Sequence, residues 1–144
     1  MPIEFVPIDC CAIVVTHLLY LHGFRSSPHS FKARMLAAWL AAHRPDVTWW
    51  CPQLPASPRE AIELAKRGTA DWPRDGQAVL GSSLGGFYAT VLAERWGCPA
   101  VVMNPAVDPA RDLAAYIGEW GRALGFQSDL ATSSRALPLR ALAR

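Results

Sequence analysis

Basic charge is scarce in the body of this 144-residue chain: residues 1 to 119 carry a net charge of −1, and the overall +2 comes from the four arginines of residues 120 to 144. A nucleic-acid surface needs a basic stripe on a folded face with motif support, and neither is present. There is no C-x-x-C spacing among Cys10, Cys11, Cys51 and Cys98 and no histidine pair beside them, which excludes the usual zinc sites. The cysteines adjoin apolar runs and read as buried free thiols. The apolar stretch 10 to 21 is too short to cross a bilayer and contains Thr16 and His17. Upstream of it stand Glu4 and Asp9 but no lysine or arginine, the reverse of a secretory start, so a reducing cytoplasm is the expected location. One further absence matters most: the four histidines, His17, His22, His29 and His43, all lie in the first third of the chain.

What is present is a globular composition, 51% hydrophobic and 18% charged, in a chain long enough for one domain. Residues 12 to 21 are apolar and β-branched and read as a buried strand. A helix follows, with Ser27 as cap, Pro28 at its first position and Phe31, Met35, Ala38 and Trp39 at helical spacing. The pattern repeats. Strand 47 to 51 precedes a helix capped by Ser57, with Glu60 three residues on and Gly68 as its stop. Strand 77 to 82 precedes helix 84 to 96, ended by Gly97, and strand 99 to 104 precedes a helix over about 110 to 118. Alternation of this kind predicts a three-layer α/β fold with a parallel sheet of four strands, ordered second, first, third, fourth. Trp49 and Trp50 must then point to opposite faces of their strand.

The third crossover carries the chemistry. In Gly81-Ser82-Ser83-Leu84-Gly85 the glycines lie two before and two after Ser83, between a strand and a helix, which is the G-x-S-x-G pattern of a nucleophile elbow. Glycine at both flanks relieves crowding where strand and helix cross, and the turn leaves the Leu84 amide at a helix N-terminus where an oxyanion can bind. The bland alternative is a connecting glycine turn. A phosphate-cradling loop is disfavoured because no Gly-Lys-Ser/Thr ending follows. After the first strand, "LHGF" offers a second oxyanion amide at Phe24, with Gly23 allowing close backbone approach. His22 reads as a buried, hydrogen-bonded residue shaping that loop, since the triad histidine of such folds follows the serine in sequence.

Together "LLYLHGFRSSPHSFKA", "PQLP", "GSSLGGFYATVLAE" and "NPAV" resemble the YqiA-type esterases, a small α/β-hydrolase family, over about residues 17 to 119. The resemblance implies Ser83 as nucleophile, Leu84 and Phe24 as oxyanion donors, hydrolysis of short-chain esters in the cytoplasm, and no metal or organic cofactor. It also implies later strands bearing a triad aspartate and histidine, for which this chain has no counterpart. The reading is therefore an α/β-hydrolase-like sheet with the C-terminal part of the fold missing, through a frameshift near residue 119 or a mistaken gene model. Its divisions are an extension over 1 to 15, the partial domain over 16 to 119, and a tail over 120 to 144.

Asp108 is a weak candidate for the triad acid and a better one for a helix cap before Pro109. The expected function is a serine esterase-like hydrolase of small carboxylic esters that is catalytically incomplete in this chain. The alternative is a non-catalytic binding module on a half fold. The partners expected are a small-molecule ester, no nucleic acid and no membrane. Self-association through the exposed edge of the last strand is a further expectation.

Overall fold

A computed structural model describes residues 14–109. Its elements run β1 (His17–Leu21), α1 (Phe31–His43), β2 (Thr48–Trp50), α2 (Pro58–Gly68), a 3-10 turn at Arg74–Gly76, β3 (Gln77–Ser82), α3 (Leu84–Trp96) and β4 (Ala100–Met103). The sheet is wholly parallel in the order β2-β1-β3-β4, as the alternation of strand and helix predicts. Leu18 pairs with Trp49 on one side and Ala78 on the other, and Leu80 pairs with Val101, so the site-bearing strand β3 lies inside the sheet. The proposed extension up to residue 13, the helix over 110 to 118, the tail, Cys10 and Cys11 lie outside the described residues.

The two faces of the sheet follow from strand alternation. Leu19, Leu21 and Val79 point to one face and pack with Ala61 and Ala65 of α2 and with Leu84, Phe87, Tyr88, Ala89 and Leu92 of α3 in a single buried cluster. Leu18, Tyr20, Ala78 and Leu80 point to the other face, where α1 lies. Trp49 stacks on Tyr20 on that face, with ring centroids 5.5 Å apart. Trp50 points the opposite way and joins the α2–α3 cluster, 6.3 Å from the Trp72 ring.

Two helix boundaries follow their sequence signals and two do not. Ser57 caps α2 by accepting from the Glu60 amide, and α3 ends at Gly97 in the left-handed region, φ 66°. Gly68, read as a stop, is instead the last helical residue, with Thr69 as C-cap. The Trp50 indole occupies the space where a Gly68 side chain would stand. The larger correction concerns α1. Ser27 does not cap it; its hydroxyl accepts from the His29 amide and its carbonyl from the Ser30 amide, closing a turn. Ser30 is the cap, accepting from the Ala33 amide, and the helix starts at Phe31. The face is also different: Phe31, Met35 and Trp39 are 73%, 51% and 53% exposed, whereas Ala33 and Leu40 are buried. In a helix made mostly of apolar residues two stripes satisfy the helical period, and only the sheet selects between them.

At the edge, Ala100, Val101 and Val102 of β4 are exposed, as expected for the last strand. No described helix is long and apolar enough to cross a membrane. At the N-terminal end of β3, Gln77 is 1% exposed and neither of its amide atoms has a hydrogen-bond partner. An unpaired buried amide costs about 1 to 3 kcal/mol. Gln77→Met is therefore expected to raise the denaturant midpoint without changing the slope, and a lowered midpoint would show that the amide is satisfied in solution.

Candidate active site

The elbow forms because β3 runs straight into α3 with a single residue between them. That residue is Ser83, held at φ 55° and ψ −120°, a conformation a non-glycine residue adopts only when its surroundings enforce it. Three backbone bonds do so. The Ser83 amide donates to the Met103 carbonyl at 3.0 Å, and the Ser83 carbonyl accepts from Gly86 at 2.9 Å and from Ala106 at 3.0 Å. The loop after β4 thus ties the elbow from one side. From the other, β1 approaches so closely that a side chain on Gly85 would collide with the Leu21 carbonyl, and one on Gly81 would collide with the Gly85 carbonyl. The flanking glycines stand where strand and helix cross, as the motif requires.

The result is an exposed serine among buried neighbours: Ser82, Leu84 and Gly85 are all buried, and Ser83 is not. Its side chain makes no capping bond to α3. The first amides of a helix have no partner within the helix, so the Leu84 N–H at the head of α3 is positioned to donate to an anion. Gly23 passes against the serine; a side chain there would stand 3.2 Å from Ser83 Cβ and 3.7 Å from its Oγ. This brings the loop bearing Phe24 alongside the elbow. Ser83, Leu84, Gly23, Gly81, Gly85 and Phe24 therefore converge at the C-terminal ends of β1 and β3.

His22 takes no part as a base. It is 3% exposed; its Nδ1 bonds the Gly23 carbonyl at 3.0 Å, and its Nε2 accepts from the Leu54 amide at 3.1 Å. With Nδ1 facing a carbonyl and Nε2 facing an N–H, the ring is the neutral Nδ1–H tautomer and has no lone pair to offer. It ties the loop after β1 to the loop after β2, as a structural histidine. His17 contacts Thr16 and Trp72, and His43 bonds the Trp39 carbonyl at the end of α1. No described histidine hydrogen-bonds Ser83. Asp108 stands in the loop after β4, directly before the buried Pro109, and the helix it was expected to cap lies outside the described residues. No three described His, Cys, Asp or Glu residues come together as a metal site.

Sequence spacing gave no hint of one contact. Lys32, on α1, donates from Nζ to Ser82 Oγ at 3.3 Å across 50 residues of chain. Tyr20, on β1, lies beside the same serine; burial raises its phenol and the Ser82 side chain opposes the rise. The residue before Ser83 is thus held from α1, on the face opposite Gly81. Ser82→Ala removes the hydroxyl that Lys32 bonds and is expected to cost about 1 kcal/mol in denaturant unfolding; an unchanged midpoint would mean that water replaces the serine.

Neither described cysteine competes as a nucleophile. Cys51 and Cys98 are free and half-buried. Burial pushes Cys51 up to about 11 and raises Cys98. The thiolate is the reactive form, so alkylation of Cys51 is expected to climb about tenfold per pH unit between pH 8 and 10. A rate already level at pH 8 would contradict the burial.

A strained serine at a strand-to-helix turn over a parallel sheet, with a helix amide beside it, defines the class: an α/β-hydrolase-like fold. Residues 17–144 match the model of the uncharacterised protein family UPF0227, the YqiA-like esterases, and the chain belongs to that family. The match runs on to Arg144, beyond the residue 119 at which the motif resemblance was expected to end. Among solved structures, the chain is similar to the RedJ thioesterase from the prodiginine biosynthetic pathway of Streptomyces coelicolor. That match has a TM-score of 0.48 and 18% identity, over 94% of this chain and 59% of that one. RedJ with a polyethylene glycol molecule bound in the active site gives 0.47 and 16%, over 94% and 64%. A hormone-sensitive lipase from a metagenome library gives 0.43 and 19%, over 83% and 47%. The chain spans less than two thirds of the length of each.

Proposed function

We propose that Ser83 is the nucleophile of a carboxylic ester hydrolase site, with the Leu84 and Phe24 amides as its oxyanion donors, and that this chain by itself supplies no base to activate it. The observation that carries the reading is the backbone of Ser83: a strained, exposed serine at the head of α3, with its side chain uncommitted to capping. A connecting turn has no need of that strain. The chemistry would be acyl transfer: Ser83 Oγ adds to the ester carbonyl, the oxyanion is held by the two amides, the alkoxide leaves with a proton, and water releases the acyl group.

The step that stalls is the first. A serine hydroxyl needs a neighbour to take its proton at neutral pH, and loss of that neighbour costs on the order of 10⁶ in turnover, leaving roughly 10³ to 10⁴ over water. The Nε2 lone pair of His22 is already taken by the Leu54 amide. This observation also supports the second reading, a binding module that uses the elbow without turnover. The cytoplasm and a small-molecule ester remain the proposed setting and partner.

The two readings separate by chemical rescue. With a short-chain p-nitrophenyl ester, the chain and its Ser83→Ala variant are expected to show equal, near-background rates. Adding free imidazole is expected to produce a Ser83-dependent increment. No increment at saturating imidazole would favour the binding module, and a Ser83-dependent rate without imidazole would reveal a base within the chain.

A further inference from the structure

Beside the oxyanion amides lies a cavity of about 180 Å³ whose wall includes Gly23, Phe24, Leu54, Leu84 and Tyr88. Its size exceeds the roughly 150 Å³ known to hold a benzene ring in another protein. Most of the wall is apolar, with exposed Arg25 and Gln53 and half-buried Ser26 along it. Of its buried polar side chains, His22 uses both ring nitrogens, and Tyr88 is the exception. It is 3% exposed, and its hydroxyl has no hydrogen-bond partner. Native proteins leave few buried hydroxyls unpaired, and a persistent one calls for an unseen partner. Burial raises the Tyr88 phenol, so at physiological pH it is a neutral donor.

Because Gly23, Phe24 and Leu84 border both the cavity and Ser83, an ester whose carbonyl oxygen sits on the Phe24 and Leu84 amides would send its acyl chain into this space. We propose that the cavity is an acyl subsite for short chains bearing a carbonyl or hydroxyl toward the far end, with Tyr88 the residue that selects them. Helical geometry places Tyr88 one turn after Leu84 on the same side of α3, so the oxyanion donor and the selecting hydroxyl are set by one rigid element. The proposal rests on the hydrolase reading of the elbow for its orientation, but the recognition it describes is a binding event and needs no turnover.

The test is binding to the full chain, followed by NMR titration, of methyl 4-oxopentanoate against its isostere methyl 4-methylpentanoate, and of methyl 5-oxohexanoate against methyl 5-methylhexanoate. In at least one pair the oxo ester is expected to bind about five- to tenfold more tightly, the worth of one buried hydrogen bond. Tyr88→Phe is expected to erase that preference while melting no lower than the parent, since it removes an unpaired buried hydroxyl. Equal affinities within both pairs, or a preference that survives in Tyr88→Phe, would overturn the proposal. The preference is expected to persist in Ser83→Ala. A Tyr88-dependent preference without imidazole-rescued turnover would leave the subsite standing and remove the hydrolase reading. Rescued turnover with no preference would do the reverse.

Discussion

The crossing of β3 and α3 is the contact on which the rest of the site depends. Gly81 and Gly85 let the helix lie against the strand it has just left, and Gly85 also lets α3 settle onto the Leu21 carbonyl at the end of β1. Because three backbone segments meet there without side chains between them, the one residue spanning the turn is forced into a strained conformation. Ser83 bears that strain, and its orientation and exposure follow from it. The hydrogen bonds from Gly86 and Ala106 to its carbonyl prevent the turn from relaxing. The Leu84 amide at the helix head comes with the same crossing, since Leu84 is the first residue of the helix.

Around this crossing the molecule separates two tasks by the two faces of the sheet. On the α2–α3 face, apolar packing from Leu19, Leu21, Val79 and the α3 side chains holds the helix in place. On the α1 face a polar contact joins the apolar packing of Ala33 and Leu40, with Lys32 bonded to Ser82 beside Tyr20. Alternation along β3 sends Ser82 to one face and Gly81 to the other, so the polar clamp never competes with the glycine crossing. The loops are linked separately, by His22 between the ends of β1 and β2. The proposed chemistry is correspondingly divided: the serine and the amides beside it share one compact corner, and no described histidine hydrogen-bonds that serine. In serine hydrolysis such contributions are far from additive.

Much of this was legible in the sequence, for a physical reason that differs from element to element. β3 and α3 are marked by a glycine-flanked serine between two strong apolar periodicities, a signal with few alternative structures. Ser57 announces α2 because a serine, a proline and a glutamate at cap spacing serve few other purposes. The start and buried face of α1 were not legible. Ser27 and Ser30 both offer a hydroxyl at the right distance from a following amide, and Phe31, Met35 and Trp39 compete with Ala33 and Leu40 for the interior.

By itself, then, the sequence determined the order of the elements, the parallel sheet, the position of Ser83 and the absence of any histidine after it, because these depend on local period, turn chemistry and composition. Tertiary structure alone decided which stripe of α1 meets the sheet, that Trp50 is the reason for Gly68, that His22 is spent on two loops, and that Lys32 reaches Ser82. Each of these is a contact between residues far apart in the chain, settled by which surfaces the packed sheet brings together. The unpaired hydroxyl of Tyr88 belongs with them: a tyrosine in a helix is unremarkable until the packing around it shows that nothing answers its proton.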